Sequence, residues 1–385
     1  MQVSPRLALT LLAVGLASAG ASPARAQDSQ SSDAEPQVAG TLLRWFTDSD
    51  HVTVRSLSTD WAWPLARGSG LTFHYNNEKV MIPAISAPPG SQEAIDAITT
   101  ASRPISGNAF QDFEKLRNEV EGEYERGPAA VNYYVSSESD YLAQQVGGRW
   151  NRDFRQQSVN LSLGSSWGWD AIAPLANDRT QTGGARKTTL HWNAVMTQVV
   201  SPSLLVRYGV EYNVVNGLQH NPYRDVYAGG TIVPERAPDE RQRRDAFVRV
   251  NQALPDRASI KLSYRFYNDD WGITSQELGT RLSQYVTRGL SARWEYRYYT
   301  QTSADFFSSD YTSVNGIGGY LTGDYRLGPL SSHLFGAALR ADLEAFAPTR
   351  ALMRRMTLWL DLERYFNSNN YSANVVETGV DFRFP

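Results

Sequence analysis

The sequence predicts an all-β fold: a single transmembrane, antiparallel, up-and-down β-barrel of about 16 strands (14–16), with both termini on the periplasmic side. Three observations predict it. Apolar and polar residues alternate over stretches of about ten residues, the length of a tilted membrane strand. Short turns alternate with longer or more polar connections along the chain. The last strand ends in spaced aromatics.

The chain has 385 residues, a formal net charge of −3 and no cysteine. The near-neutral balance gives no reason to expect a nucleic-acid partner. Without cysteine there is no disulfide framework and no thiolate metal site. The first residues read as a cleaved signal peptide, 1–26. Arg6 supplies the positive charge, "LALTLLAVGLASAG" the apolar run, and Ala24-Arg25-Ala26 the small-residue cleavage pattern. Residues 27–37, "QDSQSSDAEPQ", read as a short disordered polar tail, and 38–385 as the barrel. No later stretch reaches the roughly eighteen apolar residues of a membrane helix.

The clearest strand is "LSARWEYRYYT". Leu290, Ala292, Trp294, Tyr296 and Tyr298 share one face; Ser291, Arg293, Glu295 and Arg297 share the other. Ile260, Leu262, Tyr264 and Phe266 repeat the pattern against Ser259, Lys261, Ser263 and Arg265. So do the stretches around Leu161–Trp169, Leu190–Met196 and Leu204–Val214. The apolar face belongs against lipid and the polar face against a lumen. Tight turns are expected at 66–70, 126–129, 153–157, 201–203, 254–257 and 287–289. The outer connections are 85–113, 137–140, 171–187, 216–241, 268–272 and 302–330. Placing both termini on one side requires a first strand at 38–47 and leaves 314–330 as loop.

"ETGVDFRFP" places Gly379, Phe382 and Phe384 in the order polar–x–Gly–x–x–aromatic–x–aromatic, followed by Pro385. It resembles the terminal signal by which the outer-membrane assembly machinery recognises its clients. "QVVSPSLLVRYGVEY", "NPYRDVYAGG", "VPERAPDERQRRDAFVRVNQALP", "ASIKLSYRFYNDDWGI" and "WEYRYYTQTSADFF" carry a wider resemblance, as does "AIDAITTAS" before the third strand, which is similar to a first outer loop. Together they resemble the bacterial family grouped as domain of unknown function 3570. The resemblance implies an outer-membrane barrel and no activity.

The five histidines are His51, His74, His191, His220 and His333. None stands in a serine-rich nucleophile context, so a hydrolytic triad is not expected. Asp269, Asp270 and His220 fall on outer connections, where a protease would need acids and a histidine. The plainer reading of "NDDWG" is a tight turn freed by Gly272. In "NPYR", Pro222 stiffens a loop, Tyr223 packs on the wall, and Arg224 either binds an anion or pairs with an acid such as Asp225. "TDSD" (47–50) lacks the spacing and glycine of a calcium loop. No cofactor or metal is expected.

Arg207, Glu211, Arg249, Arg265, Arg281, Arg293, Glu295 and Arg297 are the candidate lumen-lining residues. Mixed charge there fits either a wet channel with a transverse field or ion-pair ladders filling a closed barrel. About sixteen strands favour the open lumen, unless a loop such as 85–113 or 302–330 folds inward. The expected role is therefore porin-like passage of small hydrophilic solutes. The alternatives are a non-enzymatic anchor or secretion accessory acting on a protein partner through its outer loops, and an outer-membrane hydrolase. Outer-membrane lipid and lipopolysaccharide are the expected surroundings, with the mixed-charge segment "PERAPDERQRRD" placed to meet lipopolysaccharide phosphates.

Overall fold

The structure, a computed structural model, describes residues 38–49, 51–65, 68–82, 113–175, 183–311 and 319–384. The signal peptide, the polar tail, "AIDAITTAS" and Pro385 lie outside the described residues. Sixteen strands form one closed antiparallel barrel. The first nine are β1 Val38–Asp48, β2 Thr53–Leu65, β3 Ser69–Ile82, β4 Phe113–Arg126, β5 Ala129–Ser137, β6 Tyr141–Phe154, β7 Val159–Ile172, β8 Ala185–Ser201 and β9 Leu204–Gly217. A small hairpin, β10 Asp225–Ala228 and β11 Thr231–Pro234, stands apart within a connection. The rest are β12 Glu240–Leu254, β13 Ala258–Asp269, β14 Thr274–Tyr285, β15 Leu290–Gln301, β16 Leu330–Asp342, β17 Met356–Asn367 and β18 Ser372–Arg383. Neighbours in sequence are neighbours in the ring, and β1 pairs with β18 from Val38↔Arg383 to Asp48↔Ala373. Closure leaves the described barrel without an edge strand, the feature that lipid does not tolerate.

Two-residue alternation sorts the side chains. Leu43, Leu116, Val131, Trp167, Val210 and Leu278 are among the large apolar residues left exposed on the outside. Water does not tolerate a surface of this extent, and on a closed barrel it is the lipid-facing band. Aromatic rings mark both its borders. Trp61 stacks on Trp63 and tilts against Phe73 at the tight-turn end. Trp167 meets Trp169, and Trp192 stacks on Tyr212, towards the other end.

The inner face is identified by contacts between strands two apart, because side chains converge only on a concave surface. Arg265 on β13 reaches Glu211 on β9 across β12. Arg293 on β15 reaches Asp361 on β17, and Arg340 on β16 reaches Asp381 on β18.

The turns alternate as the sequence implies, with one difference. Both described termini lie at the end where 127–128, 202–203 and 255–257 turn tightly. Asp256 and Arg257 take positive φ there (57° and 55°). The connection 343–355 lies at this same end, yet it is long and closes through two 3₁₀ turns, Leu343–Ala345 and Met353–Arg355. Pro348 within it lacks the N–H that a ladder needs, which keeps β16 and β17 from extending to meet in a short turn.

The C-terminal strand has a packing reason for its glycine. A Cβ on Gly379 would lie 2.6 Å from the Thr41 carbonyl oxygen and from the indole of Trp359. Phe382 and Phe384 project to the lipid side and meet edge to face, with centroids 4.7 Å apart. Gly379→Ala should therefore destabilise the β1–β18–β17 junction by about 1–3 kcal/mol, the usual cost of overpacking. The midpoint of the heat-modifiable mobility shift should fall in detergent. An unchanged midpoint would show that Trp359 has room to move.

Candidate functional site

The inner wall is charged, and the backbone register decides which charges meet. One cross-strand row runs Arg293, Ala338, Asp361, Glu377, Arg44, Ser56, Glu78, Arg117, from β15 through the β1–β18 junction to β4. Along it Arg293 pairs with Asp361, Arg44 with Glu377, and Arg117 with Glu78 at 3.4 Å. Ser56 donates to Glu78. Arg117 Nε also donates to Glu138 at 2.6 Å, and Lys115 holds Glu138 and Asp140 at 2.8 Å each. A second chain joins Ser58, Asn76, Glu119 and Tyr134.

The candidate lumen residues fall on this inner face in two kinds of setting. Arg265 pairs with Asp245 at 2.7 Å and Glu211 at 3.5 Å. Arg281 Nε donates to Glu295 at 2.8 Å, and Arg297 lies 3.7 Å from the same carboxylate. Arg207 and Arg249 are different. They face each other directly in the β9–β12 register, and no described carboxylate lies within ion-pair distance of either. Phe247 beside them lies flat on the wall because Gly209 opposite has no side chain. Arg249 stacks over that ring, 4.4 Å from its centroid.

Exposure along the lumen is graded. Towards the tight-turn end, polar side chains stay open: Asp60 keeps 58% of its surface, Arg340 50% and Arg149 42%. Towards the loop end they do not; Glu78 and Glu119 keep 1%. Phe46, Val52, Val54, Ala373 and Val375 form an apolar cluster there.

Folded connections cover that end. Tyr223 donates to Asp140 at 2.5 Å and accepts from Leu175 N. The pairing expected for Arg224 is corrected: it meets Asp324 at 3.0 Å and Glu235 at 3.4 Å rather than its neighbour Asp225. The β10–β11 hairpin folds the chain back, so the acids that reach Arg224 come from farther along. Arg224 is 3% exposed and spoken for, which removes it as an anion ligand. Glu235 also accepts from Asn221 N and Thr322. Arg236 and Leu321 exchange backbone hydrogen bonds at 3.0 Å, tying 218–239 to 302–329. In the described part of 302–330, Ala304 and Phe306 pack with Ala237, Trp271 and Ile273 of neighbouring connections, and Tyr325 packs against Tyr371. The equivalent reading for 85–113 falls almost wholly outside the described residues.

The acidic turn is structural. Asp269 accepts from Arg241 Nε at 2.9 Å and from the backbone N–H of Trp271 and Ile273. Asp270 accepts from Gln242 N. His191 is buried beside Asn193. His74 Nδ1 lies 2.6 Å from Asp60, a pair the sequence reading did not single out because register across β2–β3 was needed to see it. Among the described residues no group of three metal-ligating side chains occurs.

Within the cap, burial would raise the Asp324 carboxyl, but Arg224 and Arg326 outweigh it and hold it well below the usual carboxylate range. A depressed folded pKa gives stability that is complete above the unfolded value and is lost as pH falls through the folded one. Cap protection against protease should therefore persist through mildly acid pH and fail only under strongly acid conditions. Arg224→Ala should cost about 3–5 kcal/mol, the penalty of leaving buried carboxylates unpaired. It should also expose 218–239 to cleavage at neutral pH; equal resistance in both proteins would count against the network.

A search of curated proteins returned no match. The fold aligns with solved structures at low identity. One is titled "Bacterial polysaccharide outer membrane secretin", at 10% identity over 90% of this chain and 98% of that one, TM-score 0.47. A second is OccK11 (OpdR) of Pseudomonas aeruginosa, at 8% over 91% and 96%, TM-score 0.41. A third is a loop-deletion mutant of OmpT, an outer membrane protein of Vibrio cholerae, at 9% over 90% and 98%, TM-score 0.43. A family model described as "Protein of unknown function (DUF3570)" matches residues 14–354, most of the chain and every strand from β1 to β16, and the chain belongs to that family.

Proposed function

We propose that this chain is a non-enzymatic outer-membrane barrel that admits small hydrophilic solutes to a charged lumen. In this reading a signal peptide, 1–26, directs export, and the tight-turn end with both termini faces the periplasm. The assembly machinery engages the Gly379, Phe382, Phe384 strand. The observation that carries the solute reading is the open polar wall in the tight-turn half, where Asp60, Arg149, Glu125 and Arg340 stay exposed inside a lipid-facing barrel. A barrel that merely filled itself would bury these groups, as the loop end does. Arg55, Lys79, Arg244 and Arg364 sit on outward strand positions near the loop end, where they suit lipopolysaccharide phosphates.

A second reading is favoured by the cap. Loops 218–239 and 302–329 are cross-linked by buried charge, which makes a stiff outer surface suited to a protein partner.

Planar-bilayer recording of refolded mature chain separates the two. Steady openings are expected, and Arg224→Ala should lengthen or enlarge them by loosening the cap. Silence from both proteins, each shown to be a folded barrel by heat-modifiable mobility, would reject the solute reading and favour the partner surface.

A further inference from the structure

The lumen carries a group of cations that the ion-pair ladder leaves over. Arg207 and Arg249 face each other across β9–β12. Lys261 and Arg281 face each other across β13–β14, and Lys261 is two residue pairs from Arg249 in the β12–β13 register, the next inward-facing position. Four cations thus sit on four consecutive strands. Among the described residues, Arg281 alone of the four has a carboxylate at ion-pair distance, Glu295. The acids of the adjoining row, Glu211 and Glu277, flank Arg265 there, with Arg265 already shared between Asp245 and Glu211.

Like charges directly opposite on a sheet cost stability, about 0.2–1 kcal/mol a pair relative to neutral residues. Two such pairs side by side are not what packing alone selects. The arrangement is also held in place. Gly209 lets Phe247 lie against the wall, and Arg249 stacks on that ring. Arg207 Nε is buried without a hydrogen-bond partner. A planar guanidinium suits the paired oxygens of a carboxylate or phosphate.

The opposite wall has the other sign. β3 stands eight strands from β13 either way round the ring, and β4 eight from β14. Asp60, Glu121, Glu123 and Glu125 occupy the inner rows of β2 and β4 in the same tight-turn half. Arg149 offsets Glu123 at 3.0 Å. The field across the open half therefore runs from an acidic wall to a basic one, and the basic wall holds the unmatched donors.

We propose that Arg207, Arg249 and Lys261 form a binding site for small oxyanions, carboxylate or phosphate, that gives the lumen its solute class. This rests on the solute reading above. The site is sited in the open half, so it is reached from the tight-turn end without disturbing the cap.

Two measurements test it, and they fail separately. In a bilayer under a potassium chloride gradient, the reversal potential should show anion preference, and millimolar inorganic phosphate on the tight-turn side should reduce the chloride current. R249Q/K261Q, which keeps the fold's hydrogen-bonding capacity and touches no paired charge, should move the reversal potential towards zero and abolish the phosphate effect. Cation preference in the parent, or an unchanged reversal potential and block in the variant, would overturn the proposal while leaving the channel reading intact. Should the folded protein be silent, the channel reading fails. The site is then read by calorimetric titration of phosphate into the detergent-solubilised barrel at low salt. Saturable binding lost in R249Q/K261Q supports the site; absence of binding in the parent overturns it.

Discussion

Closure of the sheet is the constraint on which everything else in this molecule depends. In lipid no water is at hand to satisfy a free strand edge, and each unsatisfied group costs several kcal/mol. The pairing of β1 with β18 removes that edge. Once the ring is closed, alternation assigns every side chain to one of two environments. Leucine, valine and tryptophan meet the lipid, and apart from cations near the loop-end rim such as Arg55 and Lys79 the charged strand residues named above turn inward. There they must pair, be solvated or hold a ligand.

The inner wall pairs its charges at one height and leaves them exposed at another. Where the cross-strand row passes through the closing junction, Arg293 pairs with Asp361, Arg44 with Glu377 and Arg117 with Glu78. Towards the loops the pairing is dense enough to exclude water, and folded connections complete it. Towards the tight turns the same wall keeps its charged side chains exposed. The mixed charge that sequence alone leaves between a ladder and a channel is thus divided by height: ladder and packing at one end, an open polar wall at the other.

The strands were legible because a period of two depends only on local order. "LSARWEYRYYT" and "ASIKLSYRF" declare both faces without any knowledge of neighbours, and they became β15 and β13. The stretch 38–47, required to bring both termini to one side, became β1. What local order does not carry is register between strands joined by long connections. Arg44 and Glu377 are brought together by ring closure, and Glu78 and Arg117 across a connection of thirty residues, 83–112. The cap was illegible for the same reason: Glu235 finds Thr322 and Arg224 finds Asp324 only after two loops have folded on each other. Pro348 was the available sign that the 343–355 connection would be long.

The cap also bears on the order in which the molecule is built. Its anchors come from turns far apart in the chain: Asp140 after β5, Trp271 after β13, Tyr371 before β18. Tyr371 in turn donates to Asp48 at the end of β1, and Ser49 N donates to Ser372 O across the same junction. The loops have no complete set of partners until the final strand has docked on the first. An ordered cap therefore requires the β1–β18 closure, and its order reports that the ring beneath it has been finished.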